Sequence, residues 1–253
     1  MTIGNWLLLV GGGAVAGAAN TLAGGGSAIT LPLLVFCGVP PSVANGTNHL
    51  SHLAGSLARS LAFQRSGHVD WRNAFRLAIP GVLGALVGSR LASSVPDPAM
   101  HWIIIGAAVI AAALILSQPH RLLRSVSSPE IHVGLFQLGL IFVVGAWAGF
   151  IVVGAGTFLL MVLTLAIGYD LVRAMALNGV IGGLTMVAAT SVFLVEGQID
   201  WMSAAVLATG TAIGGWSTAR LAVRPELRGV LNYFVVGLIL VEIGLMLLKG
   251  LWH

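Results

Sequence analysis

The sequence predicts an all-α membrane protein of two inverted repeats, each a re-entrant or broken helical hairpin followed by three transmembrane helices. The chain has 253 residues, of which 57% are hydrophobic and only 8% are charged, whereas soluble domains carry about 25% charged residues. Residues 63–92 align without a gap with residues 193–222, which lie 130 positions further on. Duplication inside an apolar chain is typical of transporter folds.

The duplication depends on residue types that are scarce in this composition. Ala, Gly and Leu would coincide often by chance in such a chain, but charged residues and tryptophan would not. The coincident residues include Phe63 with Phe193, Asp70-Trp71 with Asp200-Trp201, and Arg90-Leu91-Ala92 with Arg220-Leu221-Ala222. We therefore expect one transmembrane domain over residues 1–253, with a first repeat at 1–117, a linker at 118–130 and a second repeat at 131–253.

The first hairpin is predicted from an apolar run that glycines interrupt. Residues 3–19 are apolar, residues 20–27 are rich in glycine, and the next apolar run ends about eleven residues later, at Cys37. Eleven helical residues cover about 16 Å, which is about half of a hydrocarbon core roughly 30 Å thick. We therefore expect the chain to enter the membrane, break near the middle and return.

The second hairpin repeats this pattern. Residues 133–150 lead to the break Gly154-Ala155-Gly156-Thr157, and a short apolar run then ends at Ile167-Gly168. Three ordinary spans follow each hairpin, because the later apolar runs are long enough to cross. These spans are predicted at 42–64, 71–93 and 98–117 in the first repeat and at 171–195, 201–222 and 228–249 in the second.

Loop charges favour opposite orientations for the two repeats. Arginines surround the connection at 65–70, whereas the counterpart at 195–200 carries acids and no Lys or Arg. By the positive-inside bias, the first connection is cytoplasmic and the second is outside. Hairpin arms that re-enter and arms that cross fully both give each repeat an odd number of membrane crossings, so both arrangements remain open. The residues concerned are Arg59, Arg65, Arg72 and Arg76 near the first connection and Glu196 and Asp200 in the second.

The composition also argues against several classes of protein and site. The net charge is +4, but the basic residues are spread singly along membrane-edge loops, which favours contact with a lipid bilayer over nucleic acid. The single cysteine, Cys37, excludes an intramolecular disulfide and a multi-cysteine metal site. We expect no cofactor and no metal.

The two glycine-rich breaks are the strongest candidates for a binding site. A helix that begins at such a break has free N–H groups and the positive end of its dipole, and little water competes at this depth. Two inverted breaks would converge on an anion, and their hydroxyls would cap the helices or contact it. Alternatively, the glycines only permit close helix packing. The residues are Gly24, Gly25, Gly26 and Ser27 in the first break and Gly154, Gly156 and Thr157 in the second.

Two amides and two histidines complete the candidate site. Asn48 and Asn178 coincide under the 130-residue shift, and they would bind the anion, position the hairpins or join helices by hydrogen bonds. His49 and His52 share one helical face and are candidates for proton coupling, because titratable groups inside a membrane are functional hypotheses. The alternatives are two neutral hydrogen-bonded histidines or an intramembrane enzyme that uses them. A passive anion channel is a further alternative.

Asp70 and Asp200 have a structural interpretation. Each precedes a predicted span, where aspartate is a favourable N-cap. The tryptophan that follows each of them suits the membrane interface. We therefore expect helix caps at both positions.

The order and spacing of several short motifs resemble the TauE/SafE family of sulfite exporters. They are Gly17-Ala18-Ala19-Asn20-Thr21-Leu22-Ala23-Gly24-Gly25-Gly26-Ser27, Leu31-Pro32-Leu33-Leu34 and Ala44-Asn45-Gly46-Thr47-Asn48. The resemblance implies a multi-pass permease of the bacterial inner membrane. It would export a small inorganic or organosulfur anion such as sulfite, sulfoacetate or thiosulfate, coupled to a proton gradient. The second repeat departs from the pattern, with Ala155 in the glycine run and Val162 in place of Pro32.

Overall fold

The computed structural model describes residues 2–22, 24–117, 131 and 133–223, and the regular elements in these ranges are helices. The predicted linker at 118–130 and the last predicted span at 228–249 lie outside the described residues. The helices are α1 (Ile3–Leu22), α2 (Ser27–Phe36), α3 (Pro41–Arg65), α4 (Trp71–Ser93), α5 (Asp97–Ser117), α6 (Leu135–Phe150), α7 (Ala155–Met161), α8 (Leu171–Val195) and α9 (Trp201–Ala222). A π-helical segment, Val162–Ile167, continues α7.

Three of the described helices, α1, α4 and α8, are both long and apolar enough to cross a membrane. Helix α3 has 25 residues, as many as α8, but its composition is much more polar. Its polar side chains are mostly buried in the protein. A central helix of a membrane protein can therefore carry polar groups, because they face other helices instead of lipid.

The turns repeat along with the helices. Within the described ranges, positive φ angles occur at glycines, where the missing Cβ removes the steric cost. These glycines form three pairs with the offset of 130 residues seen in the sequence. The pairs are Gly24 and Gly154 (φ 74° and 76°), Gly38 and Gly168 (91° and 98°), and Gly67 and Gly197 (74° and 68°).

The two predicted aspartate caps are confirmed. The Asp70 side chain accepts a hydrogen bond from the backbone N–H of Asn73, and the Asp200 side chain accepts one from the N–H of Ser203. An aspartate also caps α8, where the Asp170 side chain accepts a hydrogen bond from the backbone N–H of Arg173. These caps satisfy N–H groups that a helix start otherwise leaves without partners.

Glycines hold the two halves of the chain together. Helix α1 packs on α9, and its repeat counterpart α6 packs on α4. In both contacts, a Cβ on the glycines would strike the backbone of the partner helix, so these glycines permit the close approach typical of membrane helices. The glycines are Gly13 and Gly17 against Gly210 and Gly214 in the first contact, and Gly84 and Gly88 against Gly145 and Gly149 in the second.

The central helices α3 and α8 run in opposite directions. A Cβ at Gly46, near the start of α3, would meet the carbonyl of Gln198, just after the end of α8. A Cβ at Gly179, near the start of α8, would lie 2.7 Å from Oγ of Ser60, near the end of α3. Since α3 and α8 are equivalent under the 130-residue shift, two equivalent helices meet antiparallel at the centre.

The short helices α2 and α7, with the π-helical segment that continues α7, each pack in a core with a phenylalanine from the other half of the chain. Phe63 and Phe193 coincide under the shift, and both are fully buried. Phe63 belongs to the cluster that contains Leu160 and Leu163 from the second hairpin, whereas Phe193 belongs to the cluster that contains Leu31 from the first. The halves are therefore interlocked, and each stabilises the hairpin of the other.

We expect Gly17→Leu to lower the melting temperature of the protein in detergent by about 3–10 °C. A side chain at this position would strike the carbonyl of Thr211 and the backbone nitrogen of Gly215. The matched control is Gly11→Leu on the same helix, where a Cβ would meet nothing within 4 Å. Equal melting temperatures for the two variants would contradict a role for this glycine in holding α1 against α9.

Candidate functional site

The two glycine-rich breaks touch each other. A Cβ at Gly24 would overlap the backbone of Gly156 and Thr157, and a Cβ at Gly156 would lie 2.7 Å from the Cα of Gly24. Gly24 and Thr157 are buried, and Gly156 is partly buried. The chain thus brings together two segments that are separated by about half its length, through backbone contact that leaves no room for side chains.

The side chain of Asn20, near the end of α1, bonds to the residue that begins α2. Its Oδ1 accepts a hydrogen bond of 2.8 Å from the N–H of Gly26, and its Nδ2 lies 2.8 Å from Nε2 of His52. Of the two alternatives expected for the Ser27 hydroxyl, the structure does not show capping of this helix, because the N-cap is Gly26 and Ser27 already lies in the first turn. The Ser27 hydroxyl instead donates to the carbonyl of Val152 at 3.0 Å, which ties the first break to the second.

The second break is held by Asn178. Its Nδ2 donates to the carbonyl of Gly156 at 2.8 Å. Gly154 is the N-cap of α7, in the left-handed conformation and without a side-chain cap. Thr157, in the first turn of α7, is buried. The amide that the sequence singled out in the second repeat therefore contacts the hairpin directly.

Asn48 has a different environment from Asn178. Its Oδ1 accepts a hydrogen bond of 2.6 Å from the Thr30 hydroxyl of α2, and its Nδ2 is buried with no partner in the described part of the chain. The two asparagines coincide in sequence but make different contacts. Asn48 bonds to Thr30 within α2, whereas Asn178 bonds to Gly156 in the second break.

His49 joins α3 to the end of α6. Its Nδ1 lies 2.8 Å from the carbonyl oxygen of Asn45, and its Nε2 lies 2.9 Å from that of Ala148. Asn45 reinforces the contact by donating to the carbonyl of Phe150 at 2.9 Å. In the described ranges, no three His, Cys, Asp or Glu side chains form a group that could hold a metal ion.

His52, unlike His49, reaches a cavity between the two breaks and helices α3, α4, α6 and α8. The cavity has a volume of about 30 Å³, which exceeds the roughly 10–15 Å³ that one ordered water requires. The polar side chains that line the cavity are Asn20, His52, Ser56, Arg59, Asn178 and Thr185.

Arg59 is the residue that the sequence interpretation placed wrongly. It was expected as an orientation charge near the loop at 65–70, but it lies within α3 and is only 5% exposed. Its Nη2 donates to the Ser56 hydroxyl at 2.8 Å, and no carboxylate of the described residues forms an ion pair with it. Gly179 and Gly182 of α8 leave space for its side chain.

A sequence signal for Arg59 was available. His49, His52, Ser56 and Arg59 follow one another at spacings of three, four and three residues, which is the pattern of one helical face. A polar stripe that ends in arginine indicates that the arginine faces the same interior as the histidines. Loop position alone does not decide this, since Arg59 lies only six residues before the end of α3.

Known proteins similar to this chain are membrane transporters by name. A probable membrane transporter protein of Haemophilus influenzae is 30% identical over 202 residues, which cover 80% of this chain and 79% of that protein. Probable membrane transporter protein ORF9 of a Sinorhizobium species is 28% identical over 208 residues, or 82% and 79% of the two chains. A probable membrane transporter protein of Xylella fastidiosa is 26% identical over 260 residues, or 100% and 98%.

No solved structure matches the chain significantly. The model of one protein family, described as sulfite exporter TauE/SafE, matches residues 9–246 and so covers both repeats. The match agrees with the resemblance found in the motifs and with the names of the similar proteins, which indicate a transporter rather than an enzyme. The chain is therefore a membrane transporter protein and belongs to the TauE/SafE family.

Proposed function

We propose that this protein is a secondary transporter of the bacterial inner membrane that exports a small sulfur-containing anion of the sulfite, sulfoacetate or thiosulfate class. One observation carries the proposal: Arg59 is buried in the cavity where the two breaks meet and has no carboxylate partner in the described part of the chain. The description of the family as a sulfite exporter supports the substrate class.

The charge of Arg59 requires compensation. Removing a cation from water costs several kcal/mol unless a counter-ion or hydrogen bonds replace the water. Ser56 supplies one hydrogen bond, whereas a guanidinium has five N–H donors. An oxyanion would supply both the negative charge and acceptor oxygens, and its geometry suits the planar fork of arginine.

Alternating access is the mode of transport that the contacts support best. The antiparallel meeting of α3 and α8, and the interlocked hairpin arms, support two inverted halves around a central site. The cavity lies between the two breaks and helices of both halves of the chain. Separation of the breaks toward one side at a time would admit the anion and then release it on the other.

The residues of the proposed site have three roles. Arg59 and the cavity-facing groups of Asn20, Ser56 and Asn178 contact the anion, together with Gly24 and Gly156 at the tips. The remaining residues of the breaks and Asn48 position the hairpins, and His49 and His52 couple transport to protons. The positioning residues are Gly25, Gly26, Ser27, Gly154, Thr157 and Asn48.

We expect Asn178→Leu and Asn48→Leu each to lower the rate of sulfite export at least about tenfold, because each leaves a buried hydrogen-bonding group near a hairpin without its partner. The measurement is sulfite flux in vesicles that contain the purified protein, with and without a pH gradient. Asn5→Leu is the matched control, since Asn5 forms an exposed hydrogen bond at the start of α1.

Unchanged flux in both variants would reject the site, and absence of sulfite flux in the unaltered protein would reject the substrate class. A flux that ignores the pH gradient and saturates only at very high concentration would favour a passive channel. Gel filtration in detergent shows whether each variant is folded.

A further inference from the structure

Among the described residues, the cavity is lined by two groups that can be positively charged and by none that can be negatively charged. Arg59 and His52 line it, and its other lining residues are uncharged. They lie seven residues apart on α3, which places their Cα atoms about 10 Å apart along the helix axis. The net charge of these two side chains is therefore +1 when His52 is neutral and +2 when His52 is protonated.

The hydrogen bonds around Asn20 assign the protonation state of His52 in this conformation. The N–H of Gly26 is a donor, so the Asn20 atom that faces it at 2.8 Å must be the oxygen. The Asn20 amide group consequently presents its NH₂ to Nε2 of His52 at 2.8 Å. Because Nε2 accepts this hydrogen bond, it carries no proton, and His52 is neutral with its proton on Nδ1.

Protonation of Nε2 would place two donors opposite each other. The Asn20 NH₂ and the new N–H of His52 cannot bond, so the two side chains would have to separate or Asn20 would have to turn. If Asn20 turned its oxygen toward His52, it would release the N–H of Gly26 at the start of α2. The proton on His52 is thus linked through one side chain to the first break.

We propose that His52 binds a proton on Nε2 when a divalent oxyanion enters beside Arg59, and that a monovalent anion binds with His52 neutral. This inference rests on the proposed function. Two negative charges neutralise Arg59 together with protonated His52, whereas one negative charge neutralises Arg59 alone. Asn20 is the positioning residue that transmits the protonation to Gly26 at the start of α2.

In the described part of the chain, the other charged and titratable groups on the packed elements lie outside the cavity lining. On α3 itself, His49 bonds to backbone carbonyls outside the cavity lining. Helices α1, α2, α6 and α7 contain no charged or titratable residue over their described lengths. On the remaining elements and at their caps these groups lie near helix ends and outside the cavity lining: Arg65 on α3, Asp70 at the cap of α4 and Arg72, Arg76 and Arg90 on it, Asp97 and His101 on α5, Asp170 and Glu196 at the caps of α8 and Arg173 on it, and Asp200 at the cap of α9 and Arg220 on it.

The test compares two sulfonates of similar size that differ in charge. Sulfoacetate is divalent and ethanesulfonate is monovalent between about pH 6 and about pH 8, the range in which histidine changes charge. Binding of each anion to the full-length purified protein is measured by calorimetry at both pH values. We expect sulfoacetate to bind at least about tenfold more tightly at the lower pH, because one proton is taken up with it. Ethanesulfonate binding should change less than about twofold.

The His52→Gln variant tests whether the proton binds at His52, because it removes the proton site and leaves Arg59 in place. Glutamine retains an acceptor for the Asn20 NH₂ but cannot take up the proton, so sulfoacetate should bind to this variant with the same affinity at both pH values. His101→Gln, on α5 and exposed, is the matched control and should keep the pH dependence of the unaltered protein.

The outcomes distinguish the inference from the function on which it rests. An equal pH dependence for the two anions, or a pH dependence that survives in His52→Gln and disappears in His49→Gln, would overturn the inference while leaving the anion site intact. Binding of neither anion at either pH would overturn the anion site itself and the inference with it.

Discussion

Arg59→Gln is expected to abolish sulfite binding and export while the protein stays folded. A guanidinium and an anion separated by about 4 Å attract each other by about 4 kcal/mol at an effective dielectric constant of about 20, which corresponds to roughly a thousandfold in affinity. Glutamine keeps part of the side-chain length and a donor for Ser56 but removes the charge. Affinity is measured by calorimetry and export by flux in vesicles.

The same variant should not be destabilised. Arg59 is 5% exposed and has no carboxylate partner in the described chain, so its removal relieves the cost of a buried, uncompensated charge. An unchanged or raised melting temperature together with lost transport would separate a binding role from a structural role.

Two arginine variants make this prediction specific. Arg59→Lys retains the charge but loses the planar fork, so we expect partial activity. Arg65→Gln changes an exposed arginine at the end of the same helix, where the guanidinium lies over the Trp216 ring, and should transport normally. If Arg59→Gln transported sulfite as fast as Arg65→Gln, the proposed anion site would be wrong.

Gly156→Val is expected to reduce export about a hundredfold by preventing the two breaks from meeting. A Cβ at this position would lie 2.7 Å from the Cα and 2.8 Å from the carbonyl oxygen of Gly24, both of which are backbone atoms. Overpacking against backbone costs about 1–3 kcal/mol, and the cost falls on the closed conformation that alternating access requires. Initial rates of sulfite flux at saturating concentration measure the effect.

Gly139→Val is the matched control for this variant. Gly139 lies on the exposed side of α6, and a Cβ there would meet nothing within 4 Å. Its transport and expression should match those of the unaltered protein. Normal transport by Gly156→Val would show that contact between the breaks is not needed in the transport cycle.

The helices could be located from the sequence because their limits depend on local chemistry. The bounds predicted for 71–93, 171–195 and 201–222 coincide with those of α4, α8 and α9. Glycine, proline and the capping residues Asp70 and Asp200 mark these limits through conformations and hydrogen bonds within a few residues. The glycine-rich breaks were located for the same reason, since positive φ favours glycine.

Which residues form the candidate site depends on packing between helices that are far apart in the sequence. Arg59 was expected near a loop because depth in a membrane is set by how helices tilt and pack, which local sequence does not reveal. The bridge that Asn20 forms from Gly26 to His52 exists only because α1, α2 and α3 meet. The two histidines share a helical face, yet tertiary packing alone decided that His52 reaches the cavity.

Composition and local turn chemistry thus determined by themselves that this chain is a helical membrane protein and where several of its described helices begin and end. Tertiary structure decided which buried polar groups meet, because a hydrogen bond or ion pair joins residues that can be more than a hundred positions apart. The contact of Ser27 with Val152 is such a case. The charge in the cavity follows from the same cause, since only packing decides whether an arginine has a counter-ion.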